Sequence, residues 1–190
     1  MDGDEAAAER GRLRSLREDS EQEKLLKDRL SQSFGSFDLL KAGLGNVRDA
    51  SRPLEWRYSL EAPHYARIAD KLMILRPRIV ASYAPAFLET KEPRENPVEF
   101  LTPLRNTDSI EITIPAGYRA EDVPDPVDLE SEAVAYHSRV QVEGRTVRYS
   151  RTFEIKKLSV PLAQVDELRK IFRAIRNDEN SSVVLARTQG

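Results

Sequence analysis

His64 and His137 are the first residues to ask about chemistry. A metal centre or a general base would need a second His, Cys or carboxylate at a ligand spacing such as H-x-x-x-H, and neither histidine has one. A Ser-His-Asp set can be assembled on paper, but no G-x-S-x-G elbow presents a nucleophile. There is no cysteine, which removes thiolate nucleophiles, disulfides and thiolate zinc sites and fits either redox compartment. "GLGNVR" at 43–48 contains G-x-G, yet Arg48 stands where a dinucleotide fingerprint has its third glycine, so a loop is expected. The acidic run from Glu121 to Glu132 is interrupted by Pro124 and Pro126 and lacks EF-hand spacing, which reads as a solvated connection. No catalytic residue, metal ligand set or cofactor site is expected.

Basic charge is the remaining chemistry. Residues 145–176 carry nine basic side chains against three acidic ones. Within them, Arg148 and Lys156 fall on the wet side of a hairpin with His137 and Arg139; a solvated sheet face is the favoured reading of such charges, and these four form the candidate binding face if an anion or a partner is bound. Arg139 should oppose Arg148, a like-charge juxtaposition costing a few tenths of a kcal/mol. Arg151 is different, because it falls among apolar residues; it should lie over an aromatic ring or pair with a carboxylate at the core edge.

Those residues are positioned by elements whose periodicity is legible. Residues 5–16 are rich in helix formers with a narrow apolar stripe of Leu13 and Leu16, predicting a loosely packed helix. Ser20 and Glu23 have capping-box spacing, and Leu25, Leu26, Leu30 and Phe34 make one face of a second helix ending at Gly35. Leu54, Trp56, Tyr58 and Leu60 alternate with polar residues up to Pro63, as do Ile110, Ile112 and Ile114, predicting half-buried strands. Shorter strands are expected at 71–75, 98–101 and 182–187. The stretch 76–97, with four prolines, reads as a long irregular connection.

The hairpin is the best-determined piece. A Glu143-Gly144 turn sets Val140 opposite Val147, Ser138 opposite Tyr149 and Tyr136 opposite Arg151, with one face nearly all apolar. Pro161 then starts a helix to Arg176 whose stripe is Leu162, Val165, Leu168, Phe172 and Ile175, stopped by Asn177. The fold class that follows is mainly β (α+β): an antiparallel β-sandwich-like domain, residues 35–190, with helix 161–176 packed on the sheet. Residues 1–34 form a helical segment leading into it, and one core is expected.

With 190 residues, 39% hydrophobic and 33% charged, the composition is that of a folded chain. A net charge of −2 and a pI near 5.9 provide no field for nucleic acid or anionic lipid. The acidic start lacks the basic and apolar regions of a signal peptide, so the chain as written is not expected to be exported. No apolar run reaches the length of a membrane span.

Five segments in order, "PLEWRYSLEAPHYAR", "LMILRP", "DSIEITIPAGYRAEDVPDPVDLES", "VEGRTVRYSRTFEIKKLSVP" and "ELRKIFRAIRNDENSSVVL", resemble the C-terminal region of large bacterial envelope proteins. In these, a domain of unknown function precedes a transglutaminase-like core, and the C-terminal part is a β-rich sandwich with helices. The resemblance implies an accessory, non-catalytic domain contacting a transglutaminase-like module or another protein, in the periplasm or cell envelope. The family's Cys-His-Asp triad has no counterpart here. Family members also start with strands ahead of the first helix, which implies an uncovered sheet edge or a self-association surface. A carbohydrate- or peptide-binding sandwich is the alternative function, and a hydrolase the third.

Overall fold

A computed structural model describes residues 1–16, 19–80, 82–84 and 94–188. The chain divides into two compact units, 1–66 and 67–190, each taken by itself below. Residues 35–66, grouped with the later strands from the sequence, thus cluster with the N-terminal helices.

The first unit contains β1 (Asp2–Gly3), α1 (Asp4–Ser15), α2 (Asp19–Leu30), β2 (Asp38–Gly45) and β3 (Glu55–Glu61). The helix expected to be loose is anchored. Ala6 and Leu13, two turns apart on one face, are 0% and 1% exposed and pack with Leu54. Between them, Arg10 is buried and donates from Nε to the Asn46 carbonyl at 3.3 Å and from Nη2 to that of Arg52. Alanine lets the helix approach closely, and the two loop carbonyls give the buried guanidinium hydrogen-bond partners in place of water. Helix α2 begins ahead of Ser20 and stops at Leu30 rather than Gly35. There the Ser33 and Phe34 amides both bond the Leu30 carbonyl, closing a turn that buries Phe34 against Phe37 and Tyr65. Strand β2 covers "DLLKAGLG", where a loop was expected at Gly43–Gly45; it has no alternation and is a strand because β3 supplies its ladder.

The second unit contains β4 (Arg67–Ala69), β5 (Leu72–Leu75), β6 (Val98–Glu99), β7 (Leu104–Thr113), β8 (Tyr118–Asp122), β9 (Val127–Glu130), β10 (Val134–Glu143) and β11 (Thr146–Ile155). It closes with β12 (Ser159–Val160), a 3-10 turn at Leu162–Gln164, α3 (Val165–Glu179) and β13 (Val183–Arg187). The orders β7-β11-β10-β9 and β4-β5-β13-β8 make two sheets, and β12-β6 a short ribbon. Every pairing with a determined register is antiparallel. The molecule is thus of the expected α+β class, with antiparallel sheets and, among the described residues, three α-helices. Strand β9 lies inside the acidic run read as a connection, because Val127 and Leu129 alternate with Asp128 and Glu130 along the edge of β10. Much of the irregular connection at 76–97 lies outside the described residues.

The β10–β11 turn is Gly144-Arg145, not Glu143-Gly144, so Glu143 opposes Thr146, Val140 opposes Tyr149 and Ser138 opposes Arg151. Gly144 has φ of +57° and Arg145 does not join the positive-φ residues. Glycine at the first of two central positions is what a II′-type hairpin turn requires, whereas the expected turn would have put Glu143 in the left-handed region. The correction is two residues, one full pleat, so each side chain keeps its expected face.

Helix α3 also departs from expectation. It passes Asn177 and ends with Asn180 as its C-cap; Leu162 falls on the 3-10 turn, 45% exposed, while Ile171 joins the buried stripe. Val165, Leu168, Ile171, Phe172 and Ile175 pack on the sheet face of Val134, Tyr136, Phe153 and Ile155. Burying each such side chain stabilises by roughly 1.5–3 kcal/mol before conformational entropy is charged against it. The extra turn carries Asp178 and Glu179 to the sheet.

Candidate functional site

The candidate binding face is built by β9, β10 and β11. Alternation in β10 puts His137 and Arg139 in water, and alternation in β11 does the same for Arg148, with Lys156 just past its end. His137 Nδ1 lies 2.9 Å from Asp128 Oδ1, and Nε2 lies 3.5 Å from Glu130 Oε2, since β9 runs beside β10 with Asp128 opposite His137. Lys156 Nζ donates to Glu130 Oε1 at 2.5 Å, and this hydrogen bond chiefly holds the Glu130 carboxyl below the usual range. Arg148 donates from Nε to Glu111 Oε1 at 2.9 Å and from Nη1 to Glu143; the Glu111 hydrogen bond chiefly raises its pKa. Arg139 faces Ser150 rather than Arg148, because of the two-residue register change. The expected like-charge pair therefore does not exist. Arg139 is exposed and has no carboxylate partner among the described residues.

His137 and Lys156 meet at Glu130, but the four residues do not converge on one point. Arg148 and Lys156 are eight positions apart along one strand direction, on the order of 25 Å at the rise of a β-strand. Three of the four are matched by carboxylates of neighbouring strands, so the face is a mixed-charge surface, on which exposed ion pairs contribute little. His64 lies in the first unit at φ of +70°, exposed. Among the described residues no group of three or more His, Asp or Glu is placed to hold a metal ion.

Titratable groups do converge beneath that face. Arg151 points into the core with its side chain 0% exposed and its Cζ 4.3 Å from the centre of the Tyr83 ring. Its Nε and Nη2 donate to Asp108 Oδ2 at 2.8 and 2.5 Å, and its Nη1 to Glu179 Oε1 at 2.9 Å. Strand pairing places Asp108 directly across from Arg151, and the last turn of α3 brings in Glu179, 2% exposed. Glu179 Oε1 also accepts from the Tyr83 amide at 2.8 Å, Oε2 accepts from the Ser82 hydroxyl, and the Glu179 carbonyl accepts from Arg78 Nε at 3.2 Å. The Tyr83 ring stacks on Phe153 at 4.7 Å. Burial opposes the Arg151 charge, but Asp108, then Tyr83 and Tyr149, outweigh it and raise its pKa. The arginine anticipated at the core edge thus meets both partners foreseen for it, a ring and carboxylates. Asp108 and Glu179 were not foreseen: one needs the β7 register, the other a helix longer than Asn177 suggested.

Two tyrosines border the cluster. Tyr136 donates to Asp178 Oδ2 at 2.5 Å and, chiefly through burial and then that bond, its pKa is raised. Burial pushes Tyr149 to about 12 from 10. A phenol whose folded pKa is raised keeps its proton in the native state after the unfolded chain has lost it. The stability it contributes is complete below pH ~10 and lost as pH rises through about 12. Urea midpoints between pH 8 and 11.5 should therefore fall above pH ~10, and Tyr149→Phe should flatten the fall. An identical slope in that variant would show that other groups carry it.

A family model described as a "Domain of Unknown Function with solved-structure structure (DUF3858)" matches residues 71–185, a span containing Arg151, Asp108, Glu179 and the whole exposed face. No curated protein matches the sequence. Among solved structures, that of a "putative protease" from Parabacteroides distasonis superposes with a TM-score of 0.51 at 16% identity, over 62% of this chain and 24% of that one. At that identity the likeness concerns the fold, and the chain spans about a quarter of that protein's length.

Proposed function

The chain belongs to the DUF3858 family of domains of unknown function, and from that premise we propose that it is a non-catalytic accessory domain, a sheet-and-helix module that works through contacts with an adjoining domain or another protein. The observation that carries this reading is the coverage: the matching fold occupies 24% of a much larger polypeptide, as a module beside other modules would. The site geometry supports it. Among the described residues the Arg151 cluster is a tight convergence of ionisable groups, and its guanidinium is held by two carboxylates with its side chain 0% exposed, the arrangement of a structural ion pair rather than of an open substrate site. Both ring nitrogens of His137 face carboxylates, which leaves its outer nitrogen turned to Glu130 instead of a hydroxyl nucleophile. The adjoining module we propose is transglutaminase-like or peptidase-like, in keeping with the sequence resemblance, and a cell-envelope setting goes with it.

A second reading, a carbohydrate- or peptide-binding module, draws on exposed Arg139. Both are tested by titrating the purified chain against glycans, cell-wall fragments and peptides while following hydrolysis of protein and peptide substrates. The accessory reading expects neither saturable binding nor turnover. Saturable binding abolished by Arg139→Ala with Arg148→Ala would install the second reading, and turnover lost in His137→Ala would install a hydrolase.

A further inference from the structure

We infer that the outer edge of β2 is a self-pairing surface, on which β2 of a second copy adds antiparallel about a two-fold axis at Ala42. Strands β2 and β3 form a sheet of two, so among the described residues the side of β2 away from β3 pairs with no strand. Alternate N–H and C=O groups on such an edge point outward and template another strand. Residues 40–43 are all exposed, Leu40 at 57%, and even a methyl group added at Gly43 would meet nothing within 4 Å.

Other edges in the molecule carry deterrents. Strand β9 is four residues long, follows Pro124 and Pro126, and bears Asp128 and Glu130; β8 bears Arg119, Glu121 and Asp122. Proline, brevity and charge are the usual means of blocking edge pairing. By contrast, β2 is eight residues long without proline; of its two charges, Asp38 and Lys41, only Lys41 falls within 41–45, which the bulge between Leu39 and Lys41 leaves in regular register.

The side chains select the partner. Antiparallel strands align outward-pointing residues with outward-pointing residues, so a two-fold self-pairing must centre on a residue. Centring on Lys41 sets it against its own copy, which destabilises. Centring on Gly43 apposes two glycines, which pack nothing across the axis, and limits the overlap to 41–45, against 39–45 about Ala42. Centring on Ala42 sets Lys41 opposite Gly43, with no like charges facing, and brings Leu40, at the bulge, towards Leu44 on each side of the axis. That self-complementarity points to a second copy of the chain. The resulting β3-β2-β2-β3 sheet of four strands is a more stable unit than a ribbon of two. This deepens the accessory reading, and rests on it only in assuming that the chain works through contacts.

Size-exclusion chromatography with light scattering over rising concentration tests it. The mass should climb from 21.6 kDa towards twice that value, with slowed amide exchange confined to β2. Ala42→Lys and Ala42→Glu each place like charges at the axis and should move dimerisation to about tenfold higher concentration or beyond, while their equimolar mixture should restore it. A single-chain mass throughout, a dimer indifferent to Ala42→Lys, or a mixture that fails to recover would overturn the inference. A single-chain mass would leave the accessory reading standing, because that reading falls only to ligand binding or turnover.

Discussion

Replacing Arg151 by Met is expected to cost about 3–5 kcal/mol of folding stability, the usual penalty for leaving one side of a buried ion pair uncompensated. Asp108 and Glu179 would keep their place around a missing cation, with Glu179 only 2% exposed and unable to recruit water. At about 2–4 °C per kcal/mol for a chain of this size, the melting temperature should drop by on the order of 10 °C. Thermal and urea denaturation followed by far-ultraviolet circular dichroism measures it. The penalty comes from unpaired charge more than from the pair's intrinsic worth, because desolvating three ions offsets most of their attraction. Changing Asp108→Asn and Glu179→Gln in the Arg151→Met background should therefore recover a large part of the loss. If Arg151→Met alone stays within about 1 kcal/mol of the parent, the cluster is more hydrated than its geometry indicates.

The second large effect is expected at Phe172. The ring is 3% exposed, 6.1 Å from Phe153 and 6.3 Å from Phe100, and so joins α3 to the sheet and to the segment following β6. Phe172→Ala should cost about 3–5 kcal/mol through lost transfer energy and the cavity left behind. Leu162, on the same apolar stripe when the sequence is read as one continuous helix, is 45% exposed on the 3-10 turn. Leu162→Ala should fall within about 0.5 kcal/mol of the parent. Urea midpoints of the two variants compare directly. Equal losses would mean that α3 docks through its first turn as well, against the placement seen here.

How far the site was legible follows the same division. The candidate face of His137, Arg139, Arg148 and Lys156 is exposed as expected, since alternation fixes which side of a strand is wet. What neutralises it was illegible. Asp128 and Glu130 meet His137 and Lys156 only because an acidic stretch read as a connection becomes the edge strand of the same sheet. Arg151 announced itself as a cation among apolar neighbours, and that anomaly was the one local signal of the buried cluster. Its partners lie 43 and 28 positions away, and no spacing rule connects them.

By itself the sequence determined the α+β class, the strand faces from Val134 to Ile155, and the amphipathic helix after Pro161, because burial on one side imposes a period of two or 3.6 on neighbouring residues. Tertiary structure alone decided that Gly144 leads its turn, that β2 and β9 are strands, and that α3 runs on to Glu179. Periodicity records which side of an element meets the core. Which element lies across from it is settled only when distant backbone and charged groups must find partners out of water.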